Sequence, residues 1–516
     1  MGRQTVDRRT FLQSIAGLGL ASSAWRGARV FARQRVAPAY FGLHPFIEAH
    51  PEAVFIRKTH VAWKENSDGK RQEAFELAKR IFTLRETPGI DLSHKFAIKP
   101  NLTATKGTGL TFAIVTDPYV VEGLIDGIRQ VEIGAGSIYV REGLAAEQPS
   151  TGYIEMARRR GVHYGDNDSR TPTSKDCLDG VVFKRTKYLG PFNYPDCHLI
   201  NVSKLKTHSM GLTLCVKNLQ GTNIQPYIQF CGGLQHAIAQ DFHPDAQRHV
   251  DDLYAQHRQA GIPRWDTEKA GWMEMWAQRT IDSYSLIRPS VLLNVIEGVY
   301  AQNGDGFDAG PGRDGVPEIF MTNVLIFGKD AFRVDIIGHW LAGHEPGNFG
   351  LFHIGKERGV STALNPRNIP VYRWEDSGPK LTPLHQLACT PLKTPYLEKW
   401  GEPRFHLCNE PFAYPAEPVS ACLSGEELPG LRVLGQARPG KGPSSLVIEY
   451  NLPRDADTSV EMYDAFGERV GVLARGWTRR GVHMTDWSTE RTASGVYCCR
   501  LMAHGVDSAT GITLAS

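Results

Sequence analysis

Once its first thirty residues are passed, the chain has no long apolar run, and nothing approaches the ~18 residues that a membrane-spanning helix needs. Charge of one sign is also lacking: the formal net charge is +3 over 516 residues. No Lys/Arg block is long enough to lay down a nucleic-acid footprint, so neither a transmembrane span in the mature chain nor a nucleic-acid partner is expected. Nine cysteines are present, but none forms Cys-x-x-Cys, which leaves no iron–sulfur or zinc-ribbon pattern. Cys498 and Cys499 are adjacent, point to opposite faces of a strand and should not pair with each other. What is present is an ordinary globular composition, 41% hydrophobic and 22% charged, with 52 Gly and 31 Pro that imply many turns. The length calls for two or three domains.

At the N-terminus, Asp7-Arg8-Arg9-Thr10-Phe11-Leu12 precedes a Gly/Ala-rich apolar stretch, residues 15–24. This resembles a twin-arginine export signal, and residues 1–34 are assigned to it. The resemblance implies a protein folded in the cytoplasm, carried by the twin-arginine translocase, and delivered to the periplasm or the cell surface. Such cargo often folds around a cofactor; the resemblance names none, and a metal and an anionic organic group are both open. Disulfides are open to an exported chain, although the odd cysteine count leaves at least one free thiol.

From residue 53 the pattern alternates. Residues 53–57 read as a strand, and 72–84 carry the spacing of an amphipathic helix. A strand at 94–103 breaks at Pro100, and Thr116-Asp117-Pro118 opens a helix running to Gln130. Residues 137–141 form a strand ending in Glu142-Gly143, and 152–160 a helix stopped by Gly161. Such alternation predicts an α/β core with a parallel sheet, whose loops converge at one edge.

The segment 196–221 is the centre of that edge. Its apolar run, 199–202, is short and tightly bounded, as a buried strand is. Lys204, Lys206 and His208 then alternate with Ser203, Leu205 and Thr207, so an extended chain puts both lysines and the imidazole on one face. Ser209, Gly211 and Thr213 offer a turn and helix N-caps, with Lys217 and Asn218 beyond and Gly221 as a stop. Cationic groups at a strand-to-helix junction, beside free backbone N–H groups, suit an anion. Solvated lysines on an ordinary loop are the plain alternative.

Lys99-Pro100-Asn101, the Thr116-Asp117-Pro118 start, Glu142-Gly143, Asn201-x-x-Lys204-x-Lys206-x-His208 and Lys217-Asn218-x-x-Gly221 together resemble the DUF362 family of α/β proteins. The resemblance continues through Glu297-Gly298, Asn303-Gly304-Asp305-Gly306 and Lys329-Asp330-Ala331 with Asp335, and spans about residues 50–360. Glu297 stands where the family usually has Asp, and the ferredoxin-like cysteine module of many members is missing here, which weakens an electron-transfer role. No activity is established for the family, so the resemblance implies a fold and a site rather than a reaction. A fainter pattern, His208, Gly211 and Lys217, is similar to the nickel-pincer lactate racemase family, although the paired glycines before the lysine are missing.

The expected site is therefore an edge pocket for a small, carboxylate-like anion. Lys99, Asn101, Lys204, Lys217, Asn218, Gly304 and Gly306 would hold the ligand or cofactor, and His208 and Lys206, with Glu142 and Glu297, would do acid–base chemistry. Glu297 and Asp305 have a second reading, as acids that neutralise Lys99 and Lys206 in a structural network. Residues 223–285 read as an insertion into the 35–400 core. A metal site from Asp241, His243 and His249 can be drawn there, but polar helices lidding the site fit the spacing better. A Pro-rich linker at 401–439 leads to short strands about ten residues apart over 440–516. Ile448 to Pro453, Met462 to Gly467, Trp487 and Ala493 to Tyr497 resemble the Ig-like domain of flagellar hook-capping proteins and of type IX sorting domains. That implies a surface-targeting module with an envelope or secretion partner. The chain reads as an enzyme of unassigned reaction, or else as a non-catalytic binding or envelope-assembly protein displayed through this β-sandwich.

Overall fold

The computed structural model describes residues 40–515 except 87, 103–112, 144–150, 166–171, 209–210, 213, 225–226, 229–238, 264–270, 305–317, 388–389, 391, 393–410, 416–429, 437–444, 453–455, 464–468, 480, 489–495 and 505–508. The export-signal segment, Asp305 and Gly306 lie outside the described residues.

Nine strands form the central sheet: β1 (Val54–Lys58), β2 (Lys95–Pro100), β3 (Ile138–Val140), β4 (His163–Tyr164), β5 (Cys197–Lys204), β6 (Val291–Gln302), β7 (Ile319–Gly328), β8 (Val371–Glu375) and β9 (Gly378–Leu381). Their order across the sheet is β9-β8-β1-β7-β6-β5-β2-β3-β4. The expected parallel block is present from β6 through β5 and β2 to β3 and β4. The sheet as a whole is mixed, however, because β7 runs antiparallel to both β6 and β1, and β9 antiparallel to β8. A buried strand reads as the same apolar run in either direction, so periodicity could not reveal the reversal at β7. Pro379 sits on the edge strand β9, where its missing N–H costs no ladder bond.

Helix α1 (Ser67–Ile81) starts at Asn66, whose side chain accepts from the Gly69 N–H at 2.9 Å. It begins earlier than expected and stops at Ile81. Residues 82–84, which the apolar spacing assigned to the helix, instead belong to the strand Phe82–Arg85, which pairs antiparallel with Tyr40–Leu43, so tertiary pairing overrides local propensity. Helix α2 (Pro118–Arg129) is capped by Asp117, which accepts from the Tyr119 N–H at 2.9 Å, with proline in the first turn. With α3 (Tyr153–Arg160) these helices cover one face of the sheet and share an apolar cluster with Phe55, Ile98, Val202 and Val295.

The other face is covered by α4 (Cys215–Asn218), α6 (Gly271–Ile287), α7 (Ala331–Leu341) and α8 (Gly350–Glu357), over Val54, Ala97, Leu199 and Ile296. Helix α5 (Ala246–Gln259) belongs to the 223–285 insertion and packs beside α6. Trp276 on α6 is fully buried, so this part of the insertion is core. Asp241, drawn as a metal ligand, instead accepts from the Tyr227 hydroxyl at 2.5 Å. Among the described residues no three His, Cys, Asp or Glu side chains converge as metal ligands. Among them, too, no helix is long and apolar enough to cross a membrane.

Two antiparallel sheets follow. One is β10 (Gly430–Gln436), β11 (Ser445–Leu452) and β14 (Gly481–Ser488), and the other is β12 (Ala456–Tyr463), β13 (Arg469–Thr478), β15 (Val496–His504) and β16 (Ala509–Ala515). They share one cluster, with Ile448 and Leu452 from the first sheet meeting Val460, Met462 and Leu501 from the second. Strand β10 lies inside what the proline content marked as linker: it pairs with β11, so strand pairing begins at about residue 430 rather than 440.

Candidate functional site

The register of the central strands decides which polar groups share a face. Lys99 lies beside Asn201, and Asn201 beside Asn294, while Lys204 lies beside Glu297. Positions 201 and 204 on β5, like 294 and 297 on β6, are three apart and so face opposite sides of the sheet. Two polar networks result, one on each face.

On the α4 face, the Lys99 ammonium donates to Glu142 Oε2 at 2.5 Å, to Asn218 Oδ1 at 2.9 Å and to the Pro100 carbonyl at 2.7 Å. Lys99 and Glu142 are each 1% exposed. Burial lowers the Lys99 ammonium from its usual value, and Glu142 pulls against that. Asn218 is the hub: its carboxamide also donates to the Lys99 carbonyl at 3.1 Å and to Asn201 Oδ1 at 2.8 Å. Asn201 in turn donates to the Cys215 carbonyl and to Asn294 Oδ1. A Cβ on Gly221 would sit 2.2 Å from Glu142 Oε1 and 2.8 Å from Lys99 Nζ, so only glycine fits there.

Helix α4, one turn long, carries Lys217 and Asn218 and has no side-chain cap of its own. Ser209 and Thr213, the caps expected from the sequence, lie outside the described residues. Asp335 of α7 does the work across the fold, accepting from the Cys215 and Val216 N–H groups at 2.7 and 2.8 Å. Burial pushes the Asp335 carboxyl up to about 7, against the pull of those two amides.

On the opposite face, Lys204 donates to Glu297 Oε2 at 2.6 Å, and both side chains are wholly buried. Its ammonium also lies 3.5 Å from the centre of the Tyr300 ring. Tyr300 donates to Asp117 Oδ2 at 2.7 Å, and Lys70 donates to the same oxygen at 2.6 Å. Burial lowers Lys204 and raises Tyr300 well above its usual value. Glu297 therefore neutralises Lys204, and Glu142 neutralises Lys99. Both acids were read from the sequence as catalysts; for Glu297, with Asp305, the second reading was a counter-ion to Lys99 and Lys206, and the structure gives it Lys204 instead.

Lys206 goes elsewhere. Its ammonium donates to Asn101 Oδ1 at 2.8 Å and to the Ile114 carbonyl at 2.7 Å. The strand ends at Lys204, and Leu205 N–H turns to the Glu297 carbonyl at 2.8 Å, so 204–208 is not one continuous extended run. Thr207–His208 pairs instead with Gly211–Leu212. His208 is 3% exposed. Burial, with Lys217 and Lys206 adding to it, holds its imidazole well below the usual value. Gly304 sits at the same edge, its carbonyl accepting from the Thr207 hydroxyl.

The structure thus gathers Lys206, His208 and Lys217 at the carboxyl ends of the parallel strands, above two charge-compensated networks. Sequence reasoning quoted Asn201, Asp117 and Asp335 without roles, and missed Lys70, Tyr300 and Asn294. A lysine inside an amphipathic helix and a tyrosine inside an apolar strand leave no distinguishing mark.

The fold and site define an α/β protein with a mixed central sheet and a cationic, carboxylate-buttressed edge. Residues 96–339 match the model of the family described as Domain of unknown function (DUF362), which supports the motif resemblance. No curated protein matches the chain.

Proposed function

We propose that this edge binds a small carboxylate-like anion between Lys206 and Lys217, and that the chain is an enzyme in which His208 moves a proton. His208 carries the reading. A buried imidazole kept neutral beside two ammonium groups is a proton acceptor waiting for negative charge. An anion arriving there offsets both lysines, raises the basicity of the imidazole and couples ligand binding to proton uptake. In this reading Lys99, Glu142, Lys204 and Glu297 hold the loops, Asn101 sets Lys206 in place, and Asn218 anchors the short helix that carries Lys217.

The test is calorimetric titration of acetate, oxalate, pyruvate and inorganic phosphate in two buffers of different ionisation enthalpy. Binding of a carboxylate with proton uptake, lost in Lys217→Ala and uncoupled from protons in His208→Gln, is expected. Binding that survives Lys217→Ala, or no binding by any of the four, sinks the proposal.

Export is part of the proposal. The Arg8-Arg9 pair supports passage through the twin-arginine translocase, and Arg8→Lys with Arg9→Lys should keep the protein in the cytoplasm of a competent host. A second, non-catalytic reading makes the chain an envelope protein presented by an Ig-like C-terminal module. It is favoured by apolar side chains left outside on β13 and β14, where Trp477 is 72% and Val482 61% exposed.

A further inference from the structure

The same sheet edge carries a cavity of about 970 Å³ whose lining includes none of Lys206, His208 and Lys217. Its floor is apolar: Ile56 of β1, Val324 of β7, Leu205 just past β5 and Leu341 at the end of α7. Leu205 reaches it because its N–H is bound to the Glu297 carbonyl, which sends the chain over β6. There Gly298 makes room, since a Cβ would meet Leu205 Cδ2 and Val324 Cγ1 at 2.9 Å.

One wall is fixed by Asn323, a non-glycine residue at φ 50°. Its carboxamide accepts from the Thr59 hydroxyl and the Val61 N–H, each at 3.0 Å, and donates to the Val61 carbonyl at 3.1 Å. A left-handed backbone at asparagine costs energy and persists where surrounding bonds hold it, so this wall is preformed.

The rim has both signs of charge, but its acids are largely engaged. Asp376 is bound by Arg57 at 3.2 Å and Arg80 at 3.0 Å, and Glu73 by Arg57 at 3.7 Å and His60 at 3.5 Å. Lys58 and Arg373 then stand against Glu375, with the Arg373 guanidinium oriented by the Gln386 carbonyl at 2.6 Å. A volume near the top of the ~300–1,000 Å³ range of small-molecule sites, an apolar floor and a locally positive rim specify a kind of guest.

We propose that this cavity is a separate ligand site for an amphiphilic monoanion, its aromatic or aliphatic body on the Ile56–Leu205–Val324–Leu341 floor and its single acidic head at Arg373 and Lys58. The site does not depend on the anion reading at Lys206 and His208, and its test leaves those residues untouched.

The probe is 1-anilinonaphthalene-8-sulfonate, titrated into the folded full-length chain and followed by fluorescence. One saturable site is expected, displaced by decanoate. Affinity should fall roughly tenfold in Arg373→Gln, the size of a lost charge-assisted contact, and by a similar factor for the uncharged analogue N-phenyl-1-naphthylamine. Leu387→Trp, which puts an indole in place of a lining side chain, should abolish binding, with Thr390→Trp as a second blocking variant in case the first does not fold. Unsaturable binding, or binding indifferent to both tryptophans, overturns the cavity as the site. Binding indifferent to Arg373→Gln overturns the class of ligand.

Discussion

At the scale of single residues, the site rests on buried charge pairs that tolerate no half-measures. Glu297→Gln leaves the Lys204 ammonium in the interior without its counter-charge, and removing one partner of such a pair costs about 3–5 kcal/mol. Replacing both, as Lys204→Met with Glu297→Leu, should restore most of that loss, because the pair itself gains little over packed apolar groups. Urea denaturation of the two single variants and the double variant checks this; additive losses would contradict it. Gly221→Ala is a harsher probe. Its methyl would press on Glu142 Oε1 and Lys99 Nζ together, so a loss comparable to breaking the pair is expected. A cost below about 1 kcal/mol, the ordinary scale for point changes, would mean the 219–222 turn shifts freely. These charges were legible in the sequence as a set but not as couples. Partnership depends on ladder register, and it is the pairing of β5 with β6 that gives Glu297 to Lys204 rather than to Lys206.

At the scale of elements, an imidazole adds a charged clamp to the apolar packing of α5 on α6. His257 Nδ1 lies 2.8 Å from Glu274 of α6, and Nε2 lies 2.8 Å from Glu357 of α8. Burial pulls this histidine down, but the two carboxylates outweigh it and raise it above its usual value. His353, also on α8, lies near enough for the two imidazoles to oppose each other's charge. Because the folded value lies above the unfolded one, the contribution to stability is complete below about pH 6.5 and is lost as pH rises through the folded value. Protection factors of the α5 amides, with intrinsic base catalysis divided out, should therefore fall at alkaline pH in the parent and lose that fall in His257→Gln; equal pH profiles of protection would dismiss the clamp. Elements of this kind were only partly legible. The alternation of strands and helices, the Asp117 cap and the break at Pro100 all stand in the sequence as local signals. The trans cap from Asp335 and the reversed direction of β7 do not, because each depends on a partner more than a hundred residues away or on the ladder that forms around it.

At the scale of the whole molecule, the question is whether the core and the seven-stranded C-terminal portion unfold together. Among the described residues, four buried free thiols are placed to answer it. Burial pushes Cys177 and Cys197 up to about 12 and Cys215 well above its usual value, so none reacts as a thiolate while its surroundings stay closed. Cys197 and Cys215 belong to the apolar cluster under α6 and α7, whereas Cys499 belongs to the cluster shared by the two C-terminal sheets. A cluster with its own strands and its own buried side chains can open on its own, since local and sub-global openings have lower free energies than the global one. Iodoacetamide labelling followed by peptide mapping should find Cys197 and Cys215 modified at one rate, the global unfolding rate of the core. Cys499 should react faster and independently of urea concentrations too low to open the core. A single common rate for all the buried thiols would mean that the C-terminal strands are a cooperative part of the core and not an appended module. In that case a module that only displays the core would be the weaker account, because its folding could not be separated from that of the site.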